Sequence, residues 1–334
     1  MRIGNVEVPG LARLAPMAGV TNAPFRMVAR ECGSGLATSE EIDAVSLVRG
    51  SAVALDIARV YEAERPLAMQ LLGGDAATLV RAADMLQEAG ADIVDLNMGC
   101  PMPKITRQGK GAALMKDVCA TAALLREFRR AVRVPLTVKI RGGWDDEHLN
   151  AVEVARMCED EGVDAIVVHP RTRSQRFTGK APWDVIREVV DAVCIPVTGN
   201  GDVTSMAEAR AMTAATGCAN VMIGRGALGR PWVFDETFES LGTAGQRQRK
   251  EQVIRRHVAL IQEHFAENPK YGLNQLRKHL AWYVEGGLPY SNPARAAVHT
   301  AHSADEALYA FWSWWDAALT GGDVEPCVEP CRAP

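Results

Sequence analysis

The sequence predicts an α/β chain: a (β/α)8 TIM barrel followed by a small C-terminal all-helical domain. Three observations carry this. Eight short, near-continuous apolar runs recur through the N-terminal two thirds of the chain, as expected of parallel strands buried on both faces. Amphipathic stretches with capping residues lie between them, a strand–helix alternation with a repeat of about 30 residues. After Trp232 the pattern changes to polar, helix-forming sequence.

The strands, in order, are Leu11–Ala15, Leu36–Ser39, Leu67–Leu72, Ile93–Leu96, Leu136–Ile140, Ala165–Val168, Ile195–Thr198 and Asn220–Ile223. Most end in Gly, Pro, Asn or a charged residue, which punctuate a strand running into a loop. Asp75–Ala89 reads as a helix with Asp75 as N-cap and Gly90 as C-cap, because a carboxylate satisfies orphan N–H groups and glycine tolerates the left-handed exit. Val118–Val132, Leu149–Glu161 closed by Gly162, and Thr204–Thr216 capped by Thr204 and closed by Gly217 are further helices. A doubly wound open sheet is the alternative, disfavoured because no G-x-G-x-x-G follows the first strand.

The barrel is assigned residues 1–240. Leu241–Gly245 reads as a linker and 246–320 as the helical domain. Within it Gln246–Gly286 is polar, and Ala304–Ala318 carries Tyr309, Phe311, Trp312, Trp314 and Trp315 behind a Ser303/Glu306 pair with capping-box spacing. Those aromatics are expected to pack the helical domain onto the barrel. Residues 321–334, with three prolines, read as a disordered tail.

The 334 residues are 48% hydrophobic, enough for one large core and a smaller one. A net charge of −4 excludes a general polyanion binder, so any nucleic-acid role rests on a local basic face. The eight cysteines lie mostly inside apolar runs, and none shows paired metal spacing; reduced thiols, no metal and a cytoplasmic location are expected. No secretory signal core and no membrane-length apolar run are present. Cys327 and Cys331 read as inert.

Polar residues gather at strand C-termini, which in a barrel converge on one face: Gln70, Asn97, Lys139, Arg141, His169, Asn200 and Asp202. Lys139 interrupts an apolar strand, and burying an ammonium needs an anionic partner or a lowered pKa. An anionic ligand, a Schiff-base amine, or an internal ion pair with Glu40 or Asp95 would each satisfy it. Gly199-Asn200-Gly201-Asp202 and Gly224-Arg225-Gly226 follow the seventh and eighth strands, the usual phosphate position of such barrels. Asn97-Met98-Gly99-Cys100-Pro101 ends the fourth strand with a thiol at the rim. Cys100 would serve as an acid while protonated, or as a nucleophile if a neighbouring cation generates thiolate.

These motifs, with Pro16-Met17-Ala18-Gly19-Val20-Thr21, Lys139-Ile140-Arg141 and His169-Pro170-Arg171-Thr172-Arg173, closely resemble the tRNA-dihydrouridine synthases, above all the bacterial B-type subgroup. The resemblance runs from about residue 11 to 235 and more weakly through Arg277–Tyr283. It implies tightly bound FMN, NADPH (or NADH) as reductant, tRNA as substrate, and no obligate protein partner. Pro16, Met17 and Ala18 would line the isoalloxazine. Gln70 and Lys139 would bond its polar edge. His169, Asn200, Gly201, Asp202, Gly224 and Arg225 would hold the ribityl chain and phosphate. Cys100 would be the catalytic acid, on a loop hinged at Gly99, with Asn97 and Arg141 facing a uracil. Pro170 departs from the glycine expected after the histidine.

The implied reaction reduces the C5–C6 bond of a uridine, in the D-loop by subgroup resemblance, with hydride to C6 and the Cys100 proton to C5. The RNA surface would include Arg277 and Lys278, set in a stretch from Gln246 to Trp282 where arginine and lysine outnumber carboxylates, with Arg173 and Arg176 added from the barrel. Competing readings are an FMN-dependent barrel oxidoreductase acting on a small dihydropyrimidine or enone, a Schiff-base lyase on Lys139, and a non-catalytic RNA-binding protein.

Overall fold

The structure is a computed structural model that describes residues 1–284 and 290–320; the expected tail with Cys327 and Cys331 lies outside them. The chain divides into two units. One comprises Met1–Ala227 and Trp232–Gly242; the other comprises Leu228–Pro231 and the chain from Thr243 onward.

The first unit is the expected (β/α)8 barrel. Its strands are β1 (Ala12–Leu14), β2 (Ala37–Thr38), β3 (Leu67–Leu72), β4 (Ile93–Asn97), β5 (Leu136–Arg141), β6 (Ala165–His169), β7 (Val197–Asn200) and β8 (Asn220–Ile223). Each pairs in parallel with its sequence neighbour from β2 through β8, and β8 returns to β1. Ile42–Asp43 adds a short parallel strand beside β3. A hairpin of Arg2–Ile3 and Val6–Glu7 precedes the barrel.

No strand ladder joins β1 to β2. A side chain bridges that seam: the Leu14 N–H donates to Ser34 Oγ at 3.0 Å, and the same hydroxyl donates to Leu36 O at 3.0 Å. All three residues are buried, so the hydroxyl satisfies backbone groups that water does not reach.

Six helices of eight or more residues lie around the barrel: α1 (Ala23–Glu31), α2 (Ala76–Glu88), α3 (Val118–Ala131), α4 (Ala151–Asp160), α5 (Asp184–Ala192) and α6 (Met206–Thr216). Asp75 caps α2 as expected, accepting the Thr78 N–H at 2.9 Å. Three local expectations change. The cap of α6 is Ser205, which accepts the Glu208 N–H at 3.1 Å; Thr204 instead donates its N–H and hydroxyl to the Glu208 carboxylate. β7 begins at Val197 rather than Ile195, because Pro196 has no N–H to donate to a ladder; this carries the strand to Asn200. The Gly224–Gly226 segment opens only a single 3-10 turn, Arg225–Ala227. There a Cβ on Gly226 would lie 2.5 Å from Val203 O.

The second unit is all-helical among the described residues: α7 (Thr243–His264), α8 (Pro269–Tyr283), α9 (Ser291–Thr300) and α10 (Ala304–Thr320). Helix α7 starts at Thr243, so the expected linker is half helix. Ser303 accepts the Glu306 N–H at 3.1 Å, while the Glu306 carboxylate reaches the His302 N–H at 2.6 Å. Phe311, Trp314 and Trp315 are buried and stack among themselves, and Arg255 lies 4.0 Å over the Trp312 ring.

Ser34→Ala leaves the Leu14 N–H and Leu36 C=O without their bridge. We expect a loss on the order of 2 kcal/mol, read as a lower urea midpoint at unchanged m; an unaltered midpoint would show that the seam does not depend on this hydroxyl.

Candidate active site

At the C-terminal mouth of the barrel a chain of hydrogen bonds begins on a buried carboxylate. Asp95 on β4 accepts from Thr137 Oγ1 at 2.5 Å and from Gln70 Nε2 at 2.6 Å. Burial raises its pKa, opposed by those two bonds and by the charges of Arg13 and Lys139. With its amide nitrogen committed, Gln70 presents Oε1 to Asn97 Nδ2 at 2.9 Å. Asn97 then turns its own Oδ1 to the N–H groups of Gly99 (3.1 Å) and Cys100 (2.9 Å). Two strand-end amides are thus spent on fixing the thiol loop.

That loop is tied further. Met98 N–H donates to Lys139 O at 2.9 Å, Ala112 N–H to Cys100 O at 3.1 Å, and Arg141 Nε to Gly99 O at 2.7 Å. A Cβ on Gly99 would stand 3.3 Å from Lys139 O. The expected hinge at Gly99 is therefore a pinned turn in which a Cβ would pack tightly against the Lys139 carbonyl. Burial, then the Glu41 charge and a hydrogen bond with that carboxylate, push the Cys100 thiol up to about 11, with Arg141 opposing. That shift favours the thiol over the thiolate at neutral pH.

On the neighbouring strand β5, Lys139 Nζ donates to Asn200 Oδ1 at 2.9 Å, and Asn200 Nδ2 donates to Met222 O at 2.8 Å, tying β5, β7 and β8. Lys139 forms no ion pair among the described residues: Glu40 accepts the Gly19 N–H, and Asp95 is held by Gln70 and Thr137. Burial, then the neighbouring Arg141, lower the ammonium to about 7 despite Asp95. His169 is buried and pushed well below its ordinary 6.5 by desolvation and by Lys139, Arg141, Arg171 and Arg225, so its ring is neutral at pH 7.

The phosphate-type turns behave differently from one another. Gly201 has φ +136, and a Cβ there would meet Ala181 Cβ at 2.9 Å. Asp202 accepts from Arg171 (2.7 Å) and the Ala181 N–H (2.7 Å), with Arg225 at 3.6 Å. Burial would raise Asp202, but those hydrogen bonds and arginine charges hold it low. Its side chain therefore braces the turn. Arg171, fully buried, also donates to Thr178 O and Gly179 O, and its Nη1 finds no partner. Pro16, Met17 and Ala18 form the loop after β1; Met17 is fastened by its N–H to Thr21 Oγ1 at 2.9 Å. Gly224 lies beside it, with Met17 Sδ 3.7 Å from where its Cβ would be.

Arg141 is more engaged than expected. Besides Gly99 O, it donates to Thr172 O and Arg176 O, both at 2.9 Å, joining the thiol loop to the loop after β6. Arg173 stacks 4.6 Å from the Trp144 ring. Arg277 and Lys278 stand on α8 in the helical unit. The sequence reading passed over Glu41, Asp95 as an anchor, Arg171, and exposed Phe177, whose ring lies 5.5 Å from Arg141 and 5.1 Å from Arg225. Glu41 was visible only as one acid in Glu40-Glu41-Ile42-Asp43 just past the second strand.

A donor held protonated at a barrel mouth that also carries a near-neutral amine and a glycine-lined cationic turn is suited to a two-electron reduction completed by protonation. The fold and site define a barrel oxidoreductase. The family model described as dihydrouridine synthase (Dus) matches residues 13–313. A tRNA-dihydrouridine synthase B of Pseudomonas putida is 38% identical over 85% of this chain and 85% of its own. One from Pseudomonas aeruginosa is 38% identical over 91% and 92%, and a probable tRNA-dihydrouridine synthase of Mycobacterium tuberculosis is 38% identical over 92% and 82%. Among solved structures, histamine dehydrogenase from a Rhizobium species (TM-score 0.53, 14% identity, 78% of this chain) and morphinone reductase (TM-score 0.54, 13% identity, 72% of this chain and 89% of its own) share the fold. This chain spans 50% of the histamine dehydrogenase chain. The chain belongs to the dihydrouridine synthase family, and with it to the flavin-dependent oxidoreductases.

In flavin-free protein, Lys139 is expected to titrate in the folded state near 7 against 10.5 when unfolded. The unfolded chain then binds more protons between those values, so stability should rise with pH across that window. Lys139→Met should flatten the rise in urea-unfolding stability measured from pH 7 to 10; an identical slope in both proteins would contradict the lowered amine.

Proposed function

We propose that this protein reduces the C5–C6 bond of a uridine in tRNA, in the D-loop, to 5,6-dihydrouridine, using FMN re-reduced by NADPH. The observation that carries the reading is a protonated thiol, pushed up to about 11, on a pinned loop at the rim that also bears Lys139, Asn200 and His169.

The residues fit an FMN. Lys139 brings a buried amine with a single neutral acceptor, able to bond a ring edge and to take a proton as negative charge develops. Arg171 Nη1 is a buried donor without a partner. Gly201, Gly224 and exposed Arg225 offer backbone N–H groups and a cation to a phosphate. Pro16, Met17 and Ala18 supply a loop face for the ring, and Gln70 the remaining hydrogen of an amide otherwise held by Asp95 and Asn97. A reduced flavin bound there supplies the hydride.

The protein's own residues do the rest. Asn97 and Arg141 fix the loop so that the thiol lies at the mouth. Arg141 Nη2, with no hydrogen bond among the described residues, is the donor left for a uracil carbonyl. Cys100 donates its proton to C5, and its high pKa keeps the donor loaded at neutral pH. A uridine of folded RNA reaches this mouth only by leaving its stack, and phosphate contacts hold the RNA while it does so. Arg277, Lys278 and Arg173 are assigned to those contacts. Arg255 is committed to Glu251 and the Trp312 ring and is a weaker candidate. NADPH is chosen over NADH on family resemblance alone.

Cys100→Ala should retain yellow flavin absorbance and lose about 100-fold or more of dihydrouridine formation, scored by mass spectrometry of tRNA as the two-proton mass gain; wild-type turnover would remove the acid. Arg277→Glu with Lys278→Glu should weaken tRNA binding and reduce its salt slope by about 2 while flavin stays bound. An unaltered slope would place the RNA surface elsewhere.

A further inference from the structure

Glu41 has no part in the reaction as described, yet it is the carboxylate nearest the thiol chemistry. It sits between β2 and the Ile42–Asp43 strand and is half-buried. Its Oε2 accepts from Asn97 Nδ2 at 3.1 Å, and its charge acts on the Cys100 thiol. Asn97 Oδ1 is already spent on the Gly99 and Cys100 N–H groups. One carboxylate thus holds the amide that pins the thiol's backbone and sets its charge near the sulfur.

We propose that Glu41 is a positioning residue for the acid: it holds the Asn97 amide that pins the Cys100 backbone and sets a carboxylate beside the sulfur that gives up the proton. The proposal rests on the reading of Cys100 as proton donor.

The surrounding charges bear on the balance. Arg141, whose Nε holds Gly99 O, favours thiolate, as does the Met102 N–H; Glu41 opposes both. Asp43 raises Glu41 by repulsion, but is itself paired with Lys110 at 2.5 Å. Glu40 is turned away to the Gly19 N–H. Without Glu41, the sulfur would face Arg141 with no adjacent compensating carboxylate and become more acidic.

The test uses the full-length, flavin-loaded protein and iodoacetamide, with the Cys100 peptide followed by mass spectrometry so that exposed Cys119 and Cys194 do not interfere. In Glu41→Gln the pH of half-maximal Cys100 alkylation should fall by at least about one unit, a tenfold rise in thiolate at fixed pH. The alkaline limb of dihydrouridine formation should move down with it. Glu41→Asp, which keeps the charge, should retain an alkylation limb close to the wild type. An unmoved limb in a folded, yellow Glu41→Gln protein would overturn the proposal, as would an Asp variant that shifts as far as the Gln variant. Because alkylation is read without turnover, a fully active Cys100→Ala would defeat the acid assignment while leaving the alkylation result to judge Glu41 on its own.

Discussion

The Asp95 carboxylate fixes the polarity of the whole site. It accepts from Thr137 and from Gln70, and an acceptor of this kind leaves Gln70 one way to face. Gln70 must then accept from Asn97, and Asn97 must present its oxygen to the Gly99 and Cys100 N–H groups. Reversing any amide would set donor against donor in a buried layer, at a cost of about 1–3 kcal/mol per unsatisfied group. The position of the thiol is thereby set from inside the barrel.

Charge also shapes the mouth. Burial with Lys139, Arg141, Arg171 and Arg225 keeps His169 neutral, and burial with Arg141 brings Lys139 toward neutrality. Burial and Glu41 push the Cys100 thiol up against the opposing pull of Arg141. A single rim therefore keeps an amine ready to gain a proton and a thiol ready to lose one. Acid–base roles are separated by environment rather than by residue type.

Several residues expected at the ligand also brace the rim. Asp202 secures Arg171 and the Ala181 N–H. Arg141 joins the loops after β4 and β6 through Gly99, Thr172 and Arg176 carbonyls. Ser34 spans the one barrel seam without a ladder. Such bracing gives a rim built from loops the stiffness that a catalytic geometry needs.

The sequence by itself determined the barrel, because strands buried on both faces must read as unbroken apolar runs and their helices as capped amphipathic ones; all eight runs correspond to strands. It also marked Cys100, Lys139 and Asn200, since a thiol or amine at a strand end is conspicuous against apolar neighbours. The sequence reading passed over α1 and α5, each nine residues long. It did not reveal the bonds of Asp202 to Arg171 and Ala181 or the pinned Gly99 turn, and it left Glu41 as one acid among three. Those were decided by tertiary structure alone, because hydrogen-bond direction and proton affinity depend on groups that are remote in the chain and adjacent only after the barrel has closed.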